Sequence, residues 1–121
     1  MKLIIAGSRH FQLDYYDING FIECFRLNPT EIVCGGCRGI DNAGKHWGTV
    51  FNRPVIQFDA DWNRYNKAAG PIRNKEMAMY GDELLLIWDG VSKGSFNMLN
   101  EMKKFNKPIH EVILKSPVIK K

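Results

Sequence analysis

Three short runs in this chain hold residue types that can grip an anion. Gly7-Ser8-Arg9 joins a tight turn to a hydroxyl and a guanidinium fork, a set suited to phosphate or ribose. Gly35-Gly36-Cys37-Arg38-Gly39 is followed by Asp41. Adjacent glycines let backbone N–H groups approach a phosphate, and Asp41 can either cap a helix or accept ribose hydroxyls. Asp89-Gly90-Val91-Ser92-Lys93-Gly94-Ser95 supplies two hydroxyls and a lysine where a helix begins, the plain alternative being a Ser-capped helix. The combination points to a small nucleotide-like ligand rather than to a peptide or a metal. None of the runs is a P-loop, which needs G-x-x-x-x-G-K-[ST], or a dinucleotide G-x-G-x-x-G. ATP hydrolysis of the P-loop kind and NAD-dependent hydride transfer are therefore disfavoured, and no cofactor is implied.

Ala69-Gly70-Pro71-Ile72-Arg73-Asn74 places a cation and an amide in the first turn of a helix. A cation there opposes the helix dipole, so Arg73 is expected to have a carboxylate or a ligand anion as its partner. Trp62, Tyr65 and Trp88 are large enough to stack a base; Trp62, in an irregular connection, is the best placed. His10, His46 and His110 lie in different elements without ligand spacing and read as surface or packing residues. Asp41, Asp61, Asp89 and Glu101 are the carboxylates available for catalysis. Cys24, Cys34 and Cys37 make an odd count, which argues against a disulfide framework. A redox role for the Cys34-x-x-Cys37 pair is a minor alternative, and zinc lacks two further ligands.

The elements that must position these residues alternate strand and helix throughout. Apolar runs at Lys2–Ala6, Glu31–Cys34, Val55–Phe58, Glu83–Trp88 and Pro108–Leu114 read as strands. Helical spacing follows in Ile18, Phe21, Ile22 and Phe25, with Asp14 or Asp17 as N-cap. It recurs in Ile40, Ala43, Trp47, Val50 and Phe51, and in a helix opened by Gly70-Pro71. It returns over Ser92–Phe105, with Phe96, Leu99 and Met102 on one side. The segment Asp59–Gly70 reads as a long connection with a helical turn around Trp62–Tyr65. Five strands interleaved with helices predict an α/β fold: a Rossmann-like, doubly wound, five-stranded and mainly parallel sheet with helices on both faces. In the order 3-2-1-4-5 the loops after strands one, two and four become neighbours at the switch point, where such sheets bind ligands.

Length and composition agree with one domain spanning 1–121. The chain is 45% hydrophobic and 25% charged, with a net charge of +4, which suits an anionic ligand without marking a basic stripe. The pairs Lys103-Lys104 and Lys120-Lys121 read as solvated surface, and disorder is expected at Ile119-Lys120-Lys121 alone. No apolar run approaches a membrane span, and Leu3–Ala6 is too short for a secretory segment. A cytoplasmic protein without membrane contact is the expectation.

Met1–Arg9, the Gly-Gly-x-Arg-Gly-x-Asp run at 35–41, Ala60-Asp61-Trp62, Ala69–Asn74 and Trp88-Asp89-Gly90 with Gly94 together resemble the SLOG superfamily. The nearest branch is the small YspA-type family, and the likeness spans nearly the whole chain in order. SLOG domains include the DNA-processing protein DprA and the cytokinin-activating LOG phosphoribohydrolases. The resemblance implies a Rossmann-like fold that binds a nucleotide, an ADP-ribose-like molecule or a cyclic nucleotide signal as sensor, carrier or sequestering protein. By the same analogy a homodimer or higher homo-oligomer is expected. LOG enzymes carry Pro-Gly-Gly-x-Gly-Thr-x-x-Glu; here Gly94-Ser95 matches the Gly-Thr, and the glutamate position is Met98. A thioether is neither acid nor base, so binding leads over a phosphoribohydrolase-type activity, although Glu101 lies one turn further on. Single-stranded nucleic-acid binding, by analogy with DprA, ranks third. Cys34 and Cys37 stand where that family commonly has small residues.

Overall fold

The computed structural model describes residues 1–115; the Lys-rich end, 119–121, lies outside the described residues. In chain order the elements are β1 (Lys2–Gly7), α1 (Tyr15–Cys24), β2 (Glu31–Cys34), α2 (Ile40–Val50) and β3 (Val55–Gln57). Then come α3 (Trp62–Tyr65), a single 3₁₀ turn (Asn66–Ala68), α4 (Ala69–Tyr80), β4 (Glu83–Trp88), α5 (Lys93–Lys104) and β5 (Ile109–Ile113). The strands pair in the order β3-β2-β1-β4-β5, and every pair is parallel. The predicted order and the doubly wound α/β class are what the structure has, with the sheet all-parallel rather than mainly so.

The apolar strands are buried on both faces, as parallel strands require. Leu3 and Ile5 of β1 join Ile32, Leu85 and Ile87 against Ile18, Ile22, Ile40 and Trp47 of α1 and α2. Ile4 and Ala6 point the other way. With Val33, Leu84, Leu86 and Trp88 they pack on Met77, Met98, Leu99 and Met102 of α4 and α5. Each fully buried Leu or Ile contributes roughly 1.5–3 kcal/mol, so these two layers hold the sheet rigid beneath its loops.

Local signals set the helix ends. Asp14 is the N-cap of α1, accepting from the amides of Tyr16 and Asp17, while the Asp17 carboxylate accepts from the Asp14 amide. That reciprocal capping settles the choice between the two aspartates. Phe96 departs from expectation. It is 54% exposed, whereas α5 buries Ser95, Met98, Leu99, Glu101 and Met102. Phe96 is two residues, or about 200°, away from Met98 at the centre of the inward face. It lies instead beside Trp88, the ring centroids 6.5 Å apart. Val50 and Phe51, at the end of α2, are exposed as well. Among the described residues no helix is long and apolar enough to cross a membrane.

Candidate functional site

The strand order reverses between β1 and β4, and a cavity of about 260 Å³ opens at that point. Gly7, Ser8, Arg9 and His10 line it from the loop after β1, and Cys37 and Asp41 from the loop and helix after β2. Arg73, Asn74 and Met77 reach it from α4, and Ser92, Gly94, Ser95 and Met98 from the start of α5. The three loops singled out by sequence thus converge, joined by the second and third turns of α4.

A closed ring of hydrogen bonds ties the first loop to the fourth-strand loop. The Asp89 amide donates to Ser8 Oγ at 3.3 Å, and Ser8 Oγ lies 3.0 Å from Ser92 Oγ. Ser92 Oγ donates to Asp89 Oδ1 at 2.8 Å. Each hydroxyl has one proton, and Ser92 gives its proton to the carboxylate, so Ser8 must be the donor to Ser92. Asp89 Oδ1 also accepts from the amides of Val91 and Ser92, at 2.9 and 2.8 Å. The Val91 amide is the main cause that holds the Asp89 carboxyl below its ordinary pKa, with Ser92 and His10 adding to it against a desolvation that opposes. Asp89 Oδ2 faces His10 Nε2 at 3.4 Å. Ser8 was expected to offer a ligand its hydroxyl proton. The ring takes that proton, and Ser8 and Ser92 are left with acceptor lone pairs.

The second loop is built around Asp41 and Arg73, both buried. Asp41 Oδ2 accepts from the Gly35 amide at 3.1 Å. Burial pushes the Asp41 carboxyl up, and the nearby Arg73 charge is the largest opposing influence. Asp41 is inside α2 rather than at its cap, and it holds its own loop closed. Arg73 Nη1 donates to the Gly35 carbonyl, and Arg73 Nε to Asn74 Oδ1 at 3.0 Å. Its hydrogen-bonding partners are thus carbonyls and, from Nη2, the Cys37 sulfur at 3.9 Å, with the Asp41 carboxylate acting through its charge. Asn74 in turn donates to the Gly94 carbonyl and to Asn97 Oδ1, at 3.3 and 2.9 Å, fastening α4 to α5.

Two of the glycines act through packing. A Cβ on Gly35 would stand 2.5 Å from Arg73 Nη1 and 2.9 Å from Asp41 Oδ2. Gly39 has a φ of +74°, and a Cβ there would stand 2.6 Å from the Arg9 carbonyl oxygen. Gly35 and Gly39 let the second loop close on Arg73 and on the first loop. This differs from the expectation of amides bared to a phosphate, because the Gly35 N–H is already taken. The amides left for an anion are at the helix starts: Gly39 before α2 and Ser92 before α5 give no side-chain cap.

Two larger clefts adjoin the cavity. One, of about 600 Å³, is bordered by Arg9, His10, Arg38, Gly39 and Asn42. The other, of about 440 Å³, is bordered by Arg9, Gly35, Gly36, Cys37, Arg38, Asp59, Trp62 and Arg73. Arg9 borders all three spaces, and Trp62, half exposed, flanks the last.

Several expected residues lie elsewhere. Lys93 begins α5, is exposed and does not line the cavity; Gly90, with a φ of +85°, serves the turn after β4. Glu101 is buried beside Lys104, 3.4 Å away, and is not among the lining residues. Asp61 caps α3 through the Arg64 amide. Trp88 is core, its indole N–H donating to Glu111 Oε2 at 2.7 Å. His10, read as a surface or packing residue, is part of the site. It was missed because its partner, Asp89, is remote in sequence. Cys34 and Cys37 are free thiols, and burial pushes the Cys34 thiol up, the opposite of what an attacking thiolate needs. Among the described residues no three His, Cys, Asp or Glu side chains come together as a metal site.

Fold and site together define a doubly wound parallel α/β protein with a polar, cationic cleft at its switch point. No protein-family model matches the chain, and no solved structure does. The Gene 61 protein of Mycobacterium phage D29 is 32% identical to it over 116 residues, covering 89% of this chain and 93% of that protein. The chain belongs to the family of that phage protein.

Proposed function

We propose that this chain binds a small nucleotide-derived ligand in the cleft over β1 and β4, as a sensor, carrier or sequestering protein of the SLOG type. The observation that carries this reading is the convergence of the loops after β1, β2 and β4 on one cavity at the switch point. Arg9 and two helix starts without side-chain caps supply positive potential for a phosphate. The lone pairs of Ser8 and Ser92 suit donors such as ribose hydroxyls, and Trp62 offers a face for a base. The SLOG resemblance supports the same ligand class and adds pairing into a homodimer, which sedimentation equilibrium checks.

Thermal-shift measurements with ADP, ADP-ribose and cyclic di-adenylate test the proposal. A ligand at a hundredfold its Kd stabilises by about 2.7 kcal/mol, which raises Tm by roughly 10 °C in a domain of this size. No shift with any of the three contradicts it. Binding that weakens steeply with salt and prefers single-stranded oligonucleotides would favour the nucleic-acid reading instead.

A further inference from the structure

We infer that His10 is an acid–base residue, oriented by Asp89, for hydrolysis of a phosphate ester or anhydride bond in the ligand held at this cleft. The inference rests on the nucleotide reading of the cleft and adds a reaction to it. His10 borders both the central cavity and the larger cleft beside it, so its ring stands where the two spaces meet. Its side chain is 46% exposed, which gives water access.

The ring has a built support. Asp89 Oδ1 takes three donors, from the Val91 amide and the amide and hydroxyl of Ser92, which leaves Oδ2 for His10 Nε2 at 3.4 Å. The carboxylate faces Nε2 as a charge rather than as a hydrogen-bond acceptor, and of the two neutral tautomers it favours the one with the proton on Nε2 and the lone pair on Nδ1. The hydrogen-bonded ring through Ser8 and Ser92 fixes Asp89, and the fully buried Phe11 packs beside the imidazole with centroids 4.8 Å apart.

Other groups fit the task less well. The Asp41 carboxylate is turned to the Gly35 amide, and Met98 has no proton to move. Ser8 and Ser92 give their protons within the ring and are not poised against an imidazole, so water is the nucleophile. Arg9 and Arg38 border the same cleft as His10. Cations stabilise the charge spread over phosphoryl oxygens, whereas cleaving a glycosidic bond calls for a carboxylate against a developing positive charge. His10 Nδ1 takes a proton from water as the water oxygen bonds to phosphorus. The bond from phosphorus to the leaving oxygen breaks with its electron pair, and the imidazolium returns the proton to that oxygen. One water is consumed, and nothing is oxidised or reduced.

The test offers ADP, ADP-ribose and cyclic di-adenylate to the purified chain, reading binding by thermal shift and products by phosphorus NMR. A probe that raises Tm is expected to be cleaved. His10→Asn lowers its turnover about 10²- to 10⁴-fold while the probe still stabilises the protein. Added imidazole restores part of the rate to His10→Gly, a rescue that a structural role does not produce. Asp89→Asn, a change at a positioning residue, lowers kcat with little change in KM. A probe that stabilises the chain but is recovered intact overturns the inference and leaves the binding reading standing. So does cleavage that His10→Asn does not slow. Failure of every probe to raise Tm overturns the binding reading, and this inference with it.

Discussion

Ser8 Oγ and Ser92 Oγ stand 3.0 Å apart although 84 residues separate them in the chain. Their contact joins the loop after β1 to the loop after β4 across the point where the strand order reverses, and Asp89 closes it into a ring. Ser8→Ala leaves the Asp89 amide without its partner, a loss of about 1–3 kcal/mol. Because Ser92 shares the ring, the Ser8→Ala and Ser92→Ala losses are expected to be non-additive by about 0.5–3 kcal/mol in a double-mutant cycle read by urea denaturation. Additive losses would show that the ring is not a unit.

Gly39 holds the second loop against the first at a φ of +74°, with the Ser8 and Arg9 carbonyl oxygens 2.7 and 2.6 Å from where a Cβ would lie. Gly39→Ala therefore destabilises the fold by roughly 1–3 kcal/mol. Gly94→Ala, a site with open space around it, is the control and changes little. Equal effects at the two glycines would contradict this packing role.

Asp41 and Asp89 drive stability in opposite directions with pH. Burial raises Asp41, so the folded chain holds its proton more tightly than the unfolded one does. Its contribution is full below the ordinary value of 3.8 and is lost as pH rises through the folded pKa. Asp89 is lowered, so its contribution is full above 3.8 and is lost as pH falls through the folded pKa. Asp41→Asn should therefore gain on the wild type as pH rises above 3.8, while Asp89→Asn loses ground as pH rises toward 3.8 from below. Denaturant titrations on either side of that pH check both signs.

Trp62 is half exposed and borders the cleft that also holds Arg9 and Arg73. With a base stacked on it, Trp62→Ala weakens binding by about 1–3 kcal/mol, roughly 5- to 150-fold in Kd. Stability changes by less than about 0.5 kcal/mol. Calorimetry with the best-stabilising nucleotide measures the first, and a melt without ligand the second. An unchanged Kd excludes the indole from the ligand contact.

What the sequence makes legible is what local physics decides. β2 and β4 run over the residues their apolar stretches predict, and the reciprocal Asp14–Asp17 capping pattern begins α1. Alternation predicts the parallel sheet, and the order expected for it, 3-2-1-4-5, is the one that brings three glycine-bearing loops together. The uses of the loop residues are decided by neighbours far away in the chain. Asp89 turns His10 into a site residue, and Arg73 makes Gly35 a packing position. Helix ends are decided locally, and the helix expected over Ser92–Phe105 is α5 with its two caps. α1, α2 and α5 each close through a residue of positive φ, Arg26, Asn52 and Asn106, with the next amide reaching back to Ile22, Gly48 and Met102. None of the three is the glycine that usually signals this turn.

Native mass spectrometry of the purified chain, before and after denaturation, tests the central claim most directly. The account predicts a nucleotide-type mass that travels with the folded chain, or one taken up from added ADP, ADP-ribose or cyclic di-adenylate, and weakened by Arg9→Ala. A chain that is empty as purified and takes up none of the three would contradict it.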